Sequence, residues 1–261
     1  MSSVAFTTVD AKKPSPEGGA APLRSDWEMR NYILRGLSPA DRLALEPDLR
    51  PIELASGDVL YEPDDLIDWV YFPSTAVLSV VTIMTDGRAV ESDTVGRESA
   101  VGILAALGSS PSTSRTFTQI PGMALRLSAA RLRRHAGESA AFHRLLVRHS
   151  LANLAQAHQS VACNALHDVT ERTCRWLLMS HDRTNSNVVR LTQQYLATMV
   201  GVQRTTMTSL LAGLADDGVI KKGRGCIEIL DRARMEAQVC ECYETVQSNL
   251  ERLIGRAPSA P

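Results

Sequence analysis

The chain has 261 residues, of which 44% are hydrophobic and 22% charged, and its formal net charge at pH 7 is −1. This length predicts one or two domains, and the composition excludes collagen-like, heavily disordered and disulfide-scaffold proteins. Because the whole chain is not basic, any affinity for nucleic acid must come from a local patch. The amino terminus lacks the apolar centre of a secretory signal and no segment has the length of a membrane span, so we expect a cytoplasmic protein with no membrane partner.

The sequence pattern of the first half of the chain changes twice. Residues 1–23 are polar and rich in Ser, Pro and Gly, which predicts a disordered tail. A short helical region is expected over residues 27–45. Residues 52–127 then break into short β-rich runs separated by turn signals, which predicts a β-roll, a double-stranded, jelly-roll-like architecture.

The β-rich region contains a predicted hairpin turn and a pair of acidic residues. Asp86-Gly87 lies between two strand-like runs and predicts a tight hairpin with positive φ at both central positions. Glu91 and Asp93 alternate on one strand and so share a face. Paired acids on a strand are usually solvated, so we expect both carboxylates to face water.

A long helix is predicted over residues 140–166, which contain neither Gly nor Pro. At 1.5 Å per residue such a helix spans roughly 40 Å. A coiled-coil-like seam runs along it, formed by Val147, Leu151, Leu154, His158 and Val161. We expect this seam to pair two copies of the chain. A helix buried within a monomer is the alternative that periodicity alone leaves open.

Residues 191–214 predict a helix-turn-helix. Thr192 is suited to cap a first helix, Gly201 to turn the chain, and a second helix begins near Arg204. The inner face of that second helix is apolar, whereas its outer face carries short polar side chains and an arginine, as in a helix that enters the major groove of DNA. Arg204 is expected to read a base, because a guanidinium can bridge guanine O6 and N7.

A two-stranded wing with a basic, Gly-containing tip is predicted over residues 219–230. Five basic and two acidic side chains lie between Arg190 and Arg224, a local balance of 5 − 2 = +3. Phosphate contacts supply affinity and base contacts supply specificity. The residues expected at the DNA are Thr192, Gln193, Gln203, Arg204, Thr205, Thr206, Thr208, Ser209, Lys221, Lys222 and Arg224.

These elements define an α+β chain with an N-terminal β-roll, a long dimerisation helix and a C-terminal winged helix-turn-helix. The expected boundaries are residues 24–139 for the roll, 140–167 for the helix, 168–235 for the DNA-binding domain and 236–261 for a C-terminal helix and tail. The sequence offers no phosphate-cradling loop, zinc-protease motif or nucleophile elbow, so we expect no enzymatic activity.

This order of elements, together with residues 191–214, resembles the Crp/Fnr family of bacterial transcription regulators over about residues 28–235. Thr192, Gly201, Arg204 and Thr206 fall where the family has a phosphate-contacting Thr, the turn Gly, a base-reading Arg and a second phosphate-contacting Thr. The resemblance implies a homodimer that binds a pseudo-palindromic operator in double-stranded DNA, with RNA polymerase as a further partner.

The resemblance also implies an effector pocket in the roll. Its expected residues are Gly96, Arg97, Glu98, Ser99, Gly102, Ile103, Ser112, Thr113 and Arg115. Family members that bind cyclic AMP carry Gly-Glu followed about ten residues later by Arg-Ser or Arg-Thr, whereas here Ile103 takes the Glu position and Ser112 or Thr113 the Arg position. A buried phosphate without its arginine would be an unpaired charge. We therefore expect no cofactor and no usual response to cyclic AMP, unless a gap shifts Arg115 into place.

The cysteines leave a metal or redox role open. No cysteine precedes Cys163, which excludes the N-terminal iron–sulfur ligands of the family's oxygen sensors. Cys163 and His167 are spaced as two ligands on one helix face, and Cys240 and Cys242 could supply two more. Nothing in the sequence brings the two pairs together, so we expect buried structural thiols and no metal.

Three functional alternatives therefore accompany the DNA-binding prediction. The winged helix could dock a protein instead of DNA, the regulator could work without any ligand, or it could sense a metal or redox change through its cysteines. Substitution of Arg204 distinguishes a winged helix that docks a protein from one that reads DNA. The substitution should relax base preference only if Arg204 contacts bases.

Overall fold

The computed structural model describes residues 13–14, 30–184 and 186–254. Apart from positions 13 and 14, the predicted tail lies outside the described residues. The helical region expected over residues 27–45 is divided into α1 (Tyr32–Arg35) and α2 (Pro39–Leu45). The Ser38 side chain caps α2, and proline follows in its first turn, where no backbone donor is required.

The β-roll consists of antiparallel strands in two sheets, with strand orders β1-β7-β3 and β2-β6-β4-β5. The α+β architecture that begins with a β-roll is therefore confirmed. In chain order the strands are β1 (Arg50–Leu54), β2 (Val59–Tyr61), β3 (Trp69–Pro73), β4 (Val77–Ile83), β5 (Ala89–Val95), β6 (Arg115–Ile120) and β7 (Gly122–Ser128).

The core of the roll forms because both sheets turn their apolar faces inward. Leu54, Phe72, Leu78 and Leu125 are among its fully buried side chains. The β4–β5 hairpin is present, but the expectation of positive φ at two central positions is wrong. Only Gly87 is left-handed, at φ +81°, because a loop wider than two residues makes the reversal.

Three helices follow or interrupt the strands, and the long one has its predicted bounds. They are α3 (Ile103–Gly108), α4 (Ala129–Glu138) and α5 (Ala140–Leu166). Ser139 begins α5 by accepting a hydrogen bond from the Phe142 N–H at 3.1 Å. The absence of Gly and Pro then lets α5 continue for 27 residues.

The C-terminal part is a winged helix-turn-helix followed by two further helices. Its elements are α6 (Val169–Thr184), β8 (Val188–Val189), α7 (Gln193–Val200), α8 (Arg204–Asp216), β9 (Ile220–Gly223), β10 (Cys226–Ile229), α9 (Arg232–Glu236) and α10 (Cys242–Ile254). Helix α6 extends through Thr184 because the Arg183 side chain is buried and paired with Glu98 of the roll.

The DNA-binding part packs directly on the roll. Phe117 of β6 and Tyr195 of α7 meet edge to face with ring centroids 5.9 Å apart. The Trp176 indole of α6 donates to Glu91 Oε2 at 2.7 Å. The roll and the helix-turn-helix therefore touch each other as well as being joined by α5.

Helix α10 lies antiparallel along α5. Its end is held at the start of α5, where Arg148 Nε donates to the Leu253 carbonyl at 2.7 Å. Its beginning lies near the end of α5, where Gln159 Nε2 lies 3.0 Å from Cys242 Sγ. In the described part of the chain no helix combines the length and apolarity that crossing a membrane requires.

Candidate nucleic-acid interface

The helix-turn-helix has the predicted local chemistry. The Thr192 hydroxyl caps α7 by accepting from the Tyr195 N–H at 3.1 Å. Gly201 ends α7 at φ +75°, a conformation that side chains with a Cβ rarely adopt. Helix α8 then buries Met207, Leu211 and Leu214 against the domain.

The opposite face of α8 is free to meet a ligand. Arg204, Thr205, Thr206, Thr208 and Ser209 are all exposed. The Gln203 side chain makes no capping hydrogen bond at the start of this helix. Backbone N–H groups at a helix N-terminus favour an anion, so this end of α8 suits a phosphate.

The wing places positive charge beside that helix end. Strands β9 and β10 pair antiparallel, and β8 adds a third strand to the sheet. Lys221, Lys222 and Arg224 are exposed around the β9–β10 turn. A cleft of about 450 Å³ between the wing and the helices is lined by Thr192, Gln193, Arg204 and Lys222, among others.

The structure therefore joins residues from three separate segments into one surface. Thr192 and Gln193 come from the start of α7, Arg204 from the start of α8 and Lys222 from the wing. Within this surface the Thr208 hydroxyl lies 3.0 Å from Gln193 Oε1, which orients the first helix against the second. The surface is basic, polar and exposed, as groove and phosphate contacts require.

A separate cavity of about 480 Å³ lies in the roll. It is lined by four of the predicted effector-pocket residues, Gly102, Ile103, Ser112 and Thr113. Most of the other lining is apolar, and none of the lining residues is Arg, Lys or His. The cavity carries one acidic side chain, that of Asp93.

The other residues predicted for the effector pocket do not line this cavity, so the prediction is wrong for them. Arg115 forms an ion pair with Glu62 at 2.9 Å. Arg97 donates to the carbonyl of Asp182 at 2.9 Å, and Glu98 pairs with Arg183. Gly96 and Ser99 are buried in the same loop. This loop contacts α6 of the DNA-binding part rather than the cavity.

Glu91 and Asp93 are not solvated, so that expectation is wrong. Glu91 is buried and accepts hydrogen bonds from Ser79 and Trp176. Asp93 accepts from Gln156 Nε2, and its exposed surface faces the cavity. Both carboxylates are enclosed because α5 and α7 pack on β5 and Trp176 of α6 covers Glu91.

A buried polar network connects the cavity to the DNA-binding part. The Gln156 amide donates to Asp93 on one side and accepts from Arg183 Nη2 at 3.1 Å on the other. Arg183 Nε in turn donates to Glu98 Oε1 at 2.7 Å. No sequence motif marks this network, because its members come from β5, the following loop, α5 and α6.

The pH dependence of stability should report on Asp93. Burial raises the pKa of Asp93 to about 8, an effect that Arg183 opposes and Glu98 and Glu91 reinforce. The folded protein therefore holds a proton that the unfolded chain, with a pKa of about 3.9, has lost, and stability falls as pH rises towards 8. Burial also lowers the pKa of His149 to about 4, which acts in the opposite direction but only below about pH 6.5.

We expect the melting temperature to fall between about pH 6.5 and 8, and Asp93→Asn to flatten this dependence. Scanning calorimetry measures both. Asp86→Asn is the matched control, because the hydrogen bonds from Arg88 keep the pKa of the exposed Asp86 carboxyl below its usual value, outside this window. If the melting temperature of the wild type and of Asp93→Asn fell equally with pH, the raised pKa of Asp93 would be contradicted.

The predicted dimer seam is exposed along α5. Val147, Leu151 and Leu154 are 45–49% exposed and Val161 is 70% exposed, and His158 is exposed between them. The opposite side of α5 is buried. An apolar stripe of this length on a surface helix is typical of an interaction surface.

Cys163, His167, Cys240 and Cys242 form one cluster, in which the four potential ligand atoms lie within 4.8 Å of one another. No signal in the sequence indicates that the two pairs meet. The antiparallel packing of α10 on α5 brings them together. All three cysteines are buried.

Comparison with known proteins supports the assignment of the helix-turn-helix. Residues 171–238 match the model of the Crp-like helix-turn-helix domain. The chain is 24% identical over 213 residues to a CRP-like cAMP-activated global transcriptional regulator of Mycobacterium tuberculosis, covering 79% of this chain and 95% of that protein.

Solved structures of low sequence identity share the fold. FixK2 from Bradyrhizobium japonicum aligns with a TM-score of 0.63 at 18% identity, over 74% of this chain and 98% of that one. A CRP-family transcriptional regulator from Thermus thermophilus aligns with a TM-score of 0.62 at 19% identity, over 71% of this chain and 95% of that one. The likeness covers 71–74% of this chain and therefore extends beyond the helix-turn-helix domain.

Proposed function

Because this chain is a Crp/Fnr-type transcription regulator with a helix-turn-helix DNA-binding domain, we propose that it binds a pseudo-palindromic operator as a homodimer and does so without cyclic AMP. The observation that carries the DNA contact is the single basic surface formed by α7, α8 and the wing. A regulator of this kind works in the compartment that holds the DNA, so we place it in the cytoplasm.

The reader of sequence in this proposal is the exposed face of α8. Arg204 lies at the start of the helix, where a guanidinium can reach two acceptors of one guanine. Thr205 and Ser209 stand on the same face, at the positions where the resemblance implies a Glu and a second Arg in catabolite-activator-type members of the family. The preferred operator therefore differs from that of those members. Lys221, Lys222 and Arg224 contact phosphates and add affinity without base preference.

Dimerisation in this proposal uses the exposed seam of α5. Two copies related by a two-fold axis would bury Leu151, Val161 and the apolar residues around them. The reader helices would then meet half-sites about one helical turn apart. RNA polymerase is a further partner that this type of regulator would engage.

The cavity in the roll is the proposed effector site, and its lining favours an uncharged, largely apolar ligand. A cyclic nucleotide brings a phosphate, which would lie near Asp93 with no basic side chain among the lining residues. An unpaired buried charge is costly. The Gln156 amide would transmit occupancy of the cavity to Arg183 and α6, as a shift of packed elements.

The DNA-reading surface is tested by comparing Arg204→Ala with Lys222→Ala. We expect Arg204→Ala to lose about 1–3 kcal/mol on the preferred operator and to relax discrimination at one base pair. Lys222→Ala should weaken all sequences alike and reduce the slope of log affinity against log salt by about 1. Fluorescence anisotropy on operator and scrambled duplexes measures both.

Arg42→Ala is the matched control, because Arg42 is exposed on α2 of the roll domain. It should leave affinity and base preference unchanged. If Arg204→Ala instead bound every duplex as the wild type does, the exposed face of α8 would not read DNA. That outcome would favour a protein partner for the winged helix.

A further inference from the structure

We infer that Cys163, His167, Cys240 and Cys242 form a four-ligand site for a single thiolate-binding divalent cation, of which zinc fits best. The observation is the convergence of three sulfur atoms and one imidazole from two distant segments. Three cysteines and one histidine are a ligand set of structural zinc sites. Such a site is distinct from both the DNA-reading surface and the cavity.

The separations between the ligand atoms are close to those of a tetrahedral site. Cys163 Sγ lies 3.6 Å from Cys240 Sγ, and Cys242 Sγ lies 3.5 Å from His167 Nδ1. Bonds of about 2.3 Å to sulfur and about 2.0 Å to nitrogen place two tetrahedral sulfurs about 3.8 Å apart and sulfur about 3.5 Å from nitrogen. The longest separation, 4.8 Å at most, needs a contraction of about 1 Å to reach this geometry.

The surroundings of the cluster orient its ligands. His167 Nε2 lies 3.1 Å from Glu241 Oε2, which leaves Nδ1 directed at the sulfurs. A carboxylate on the second ring nitrogen is the usual outer partner of a metal-bound histidine. Gln159 Nε2, which can only donate, lies 3.0 Å from Cys242 Sγ and would stabilise a thiolate there.

The cluster is not explained by the packing of the two main cores. The three cysteines form a buried cluster of their own, separate from the cores of the roll and of the helix-turn-helix. Cys174, by contrast, belongs to the second core among ordinary apolar neighbours. Small thiols suffice for core packing, but they do not require a histidine and its carboxylate at the same point.

The position of the site gives it a structural consequence. Cys163 and His167 close the C-terminal end of α5, immediately before the DNA-binding part begins at α6. Cys242 is the first residue of α10, which packs back along α5, and Cys240 lies two residues before it. A bound ion would therefore hold α10 on the proposed dimerisation helix and fix the junction from which the reader helix is oriented.

The test measures metal on the full-length protein, purified with reductant from medium without added metal. We expect about one zinc per chain by elemental analysis, and its loss in Cys163→Ser and Cys240→Ser. Cys174→Ser and Cys226→Ser are the matched controls, since both remove a cysteine outside the cluster. They should retain the metal.

A second measurement uses wild-type protein, so it remains informative if the cysteine variants fail to fold. Wild-type protein is stripped with a chelator and titrated with cobalt(II) alone. Tetrahedral cobalt bound by thiolates should give intense visible bands and sulfur-to-cobalt charge transfer in the near ultraviolet, saturating at about one equivalent. Glu241→Gln should weaken cobalt binding by about 10-fold or more, as expected for the outer partner of a ligand.

Three results would overturn the inference. The first is reduced wild-type protein that carries no metal and gives no thiolate–cobalt spectrum. The second is brown protein containing iron and sulfide, which would replace a mononuclear ion with a cluster. The third is equal metal content in Cys240→Ser and Cys174→Ser, which would place the ion elsewhere.

Discussion

Replacing Leu151 and Val161 with glutamate is expected to convert the protein to a monomer and to reduce affinity for a two-half-site operator by about 10²–10⁴-fold. Both side chains are about half exposed or more in the single chain, so the substitutions should leave the protomer folded. In the dimer they would bring like charges together in a buried seam. Each monomer could then engage only one half-site.

The measurements are sedimentation equilibrium for mass and anisotropy for affinity on full and half operators. Affinity for an isolated half-site should stay close to that of the wild type, which separates loss of dimerisation from loss of the reading surface. Leu43→Glu is the control, since Leu43 is 76% exposed on α2, outside the seam. A double variant that remains dimeric would assign the exposed face of α5 to another partner.

Glu98→Ala is expected to destabilise the folded protein by about 3–5 kcal/mol, because it leaves a buried arginine without its carboxylate. The Glu98 and Arg183 side chains are only 9% and 8% exposed. Arg183 retains acceptors on Thr94, Met179 and Gln156, but these neutral groups do not replace the lost charge. Urea unfolding followed by circular dichroism measures the loss.

The matched control is Arg88→Ala, which removes an ion pair of similar length in the exposed β4–β5 hairpin. Arg88 and Asp86 are 2.7 Å apart and 70% and 52% exposed. Exposed pairs contribute little to stability because water screens them, so this variant should unfold close to the wild type. Equal small losses for both variants would mean that the Glu98–Arg183 pair does not hold the roll against α6.

The parts of the fold that could be predicted from sequence are those whose chemistry is local. The continuity of α5 follows from a stretch without Gly or Pro, and the helix-turn-helix follows from Thr192, Gly201 and the spacing of apolar residues in α8. The β4–β5 hairpin was identified from Asp86-Gly87, although its backbone geometry was not. In each case the determining residues lie within one continuous segment of the sequence.

The parts that could not be predicted depend on contacts between distant segments. Cys163 and Cys240 are 77 positions apart, and only the return of α10 along α5 joins them. Glu91 and Asp93 have the spacing of solvated strand residues, but α5 and α6 cover them. The effector-pocket prediction was only partly right for the same reason. The loop with Arg97 and Glu98 contacts α6, whereas the residues that do line the cavity are Gly102, Ile103, Ser112 and Thr113.

The most direct test of the account is a salt series of fluorescence anisotropy on DNA from upstream of the protein's own gene, with and without cyclic AMP. We expect tight binding that weakens steeply with salt, because several phosphates are contacted, and that is unchanged by the nucleotide. Binding that requires cyclic AMP would contradict the assignment of the cavity, and would mean that Arg115 leaves Glu62 to neutralise the phosphate. Weak binding to every duplex in both conditions would contradict the DNA-reading surface itself.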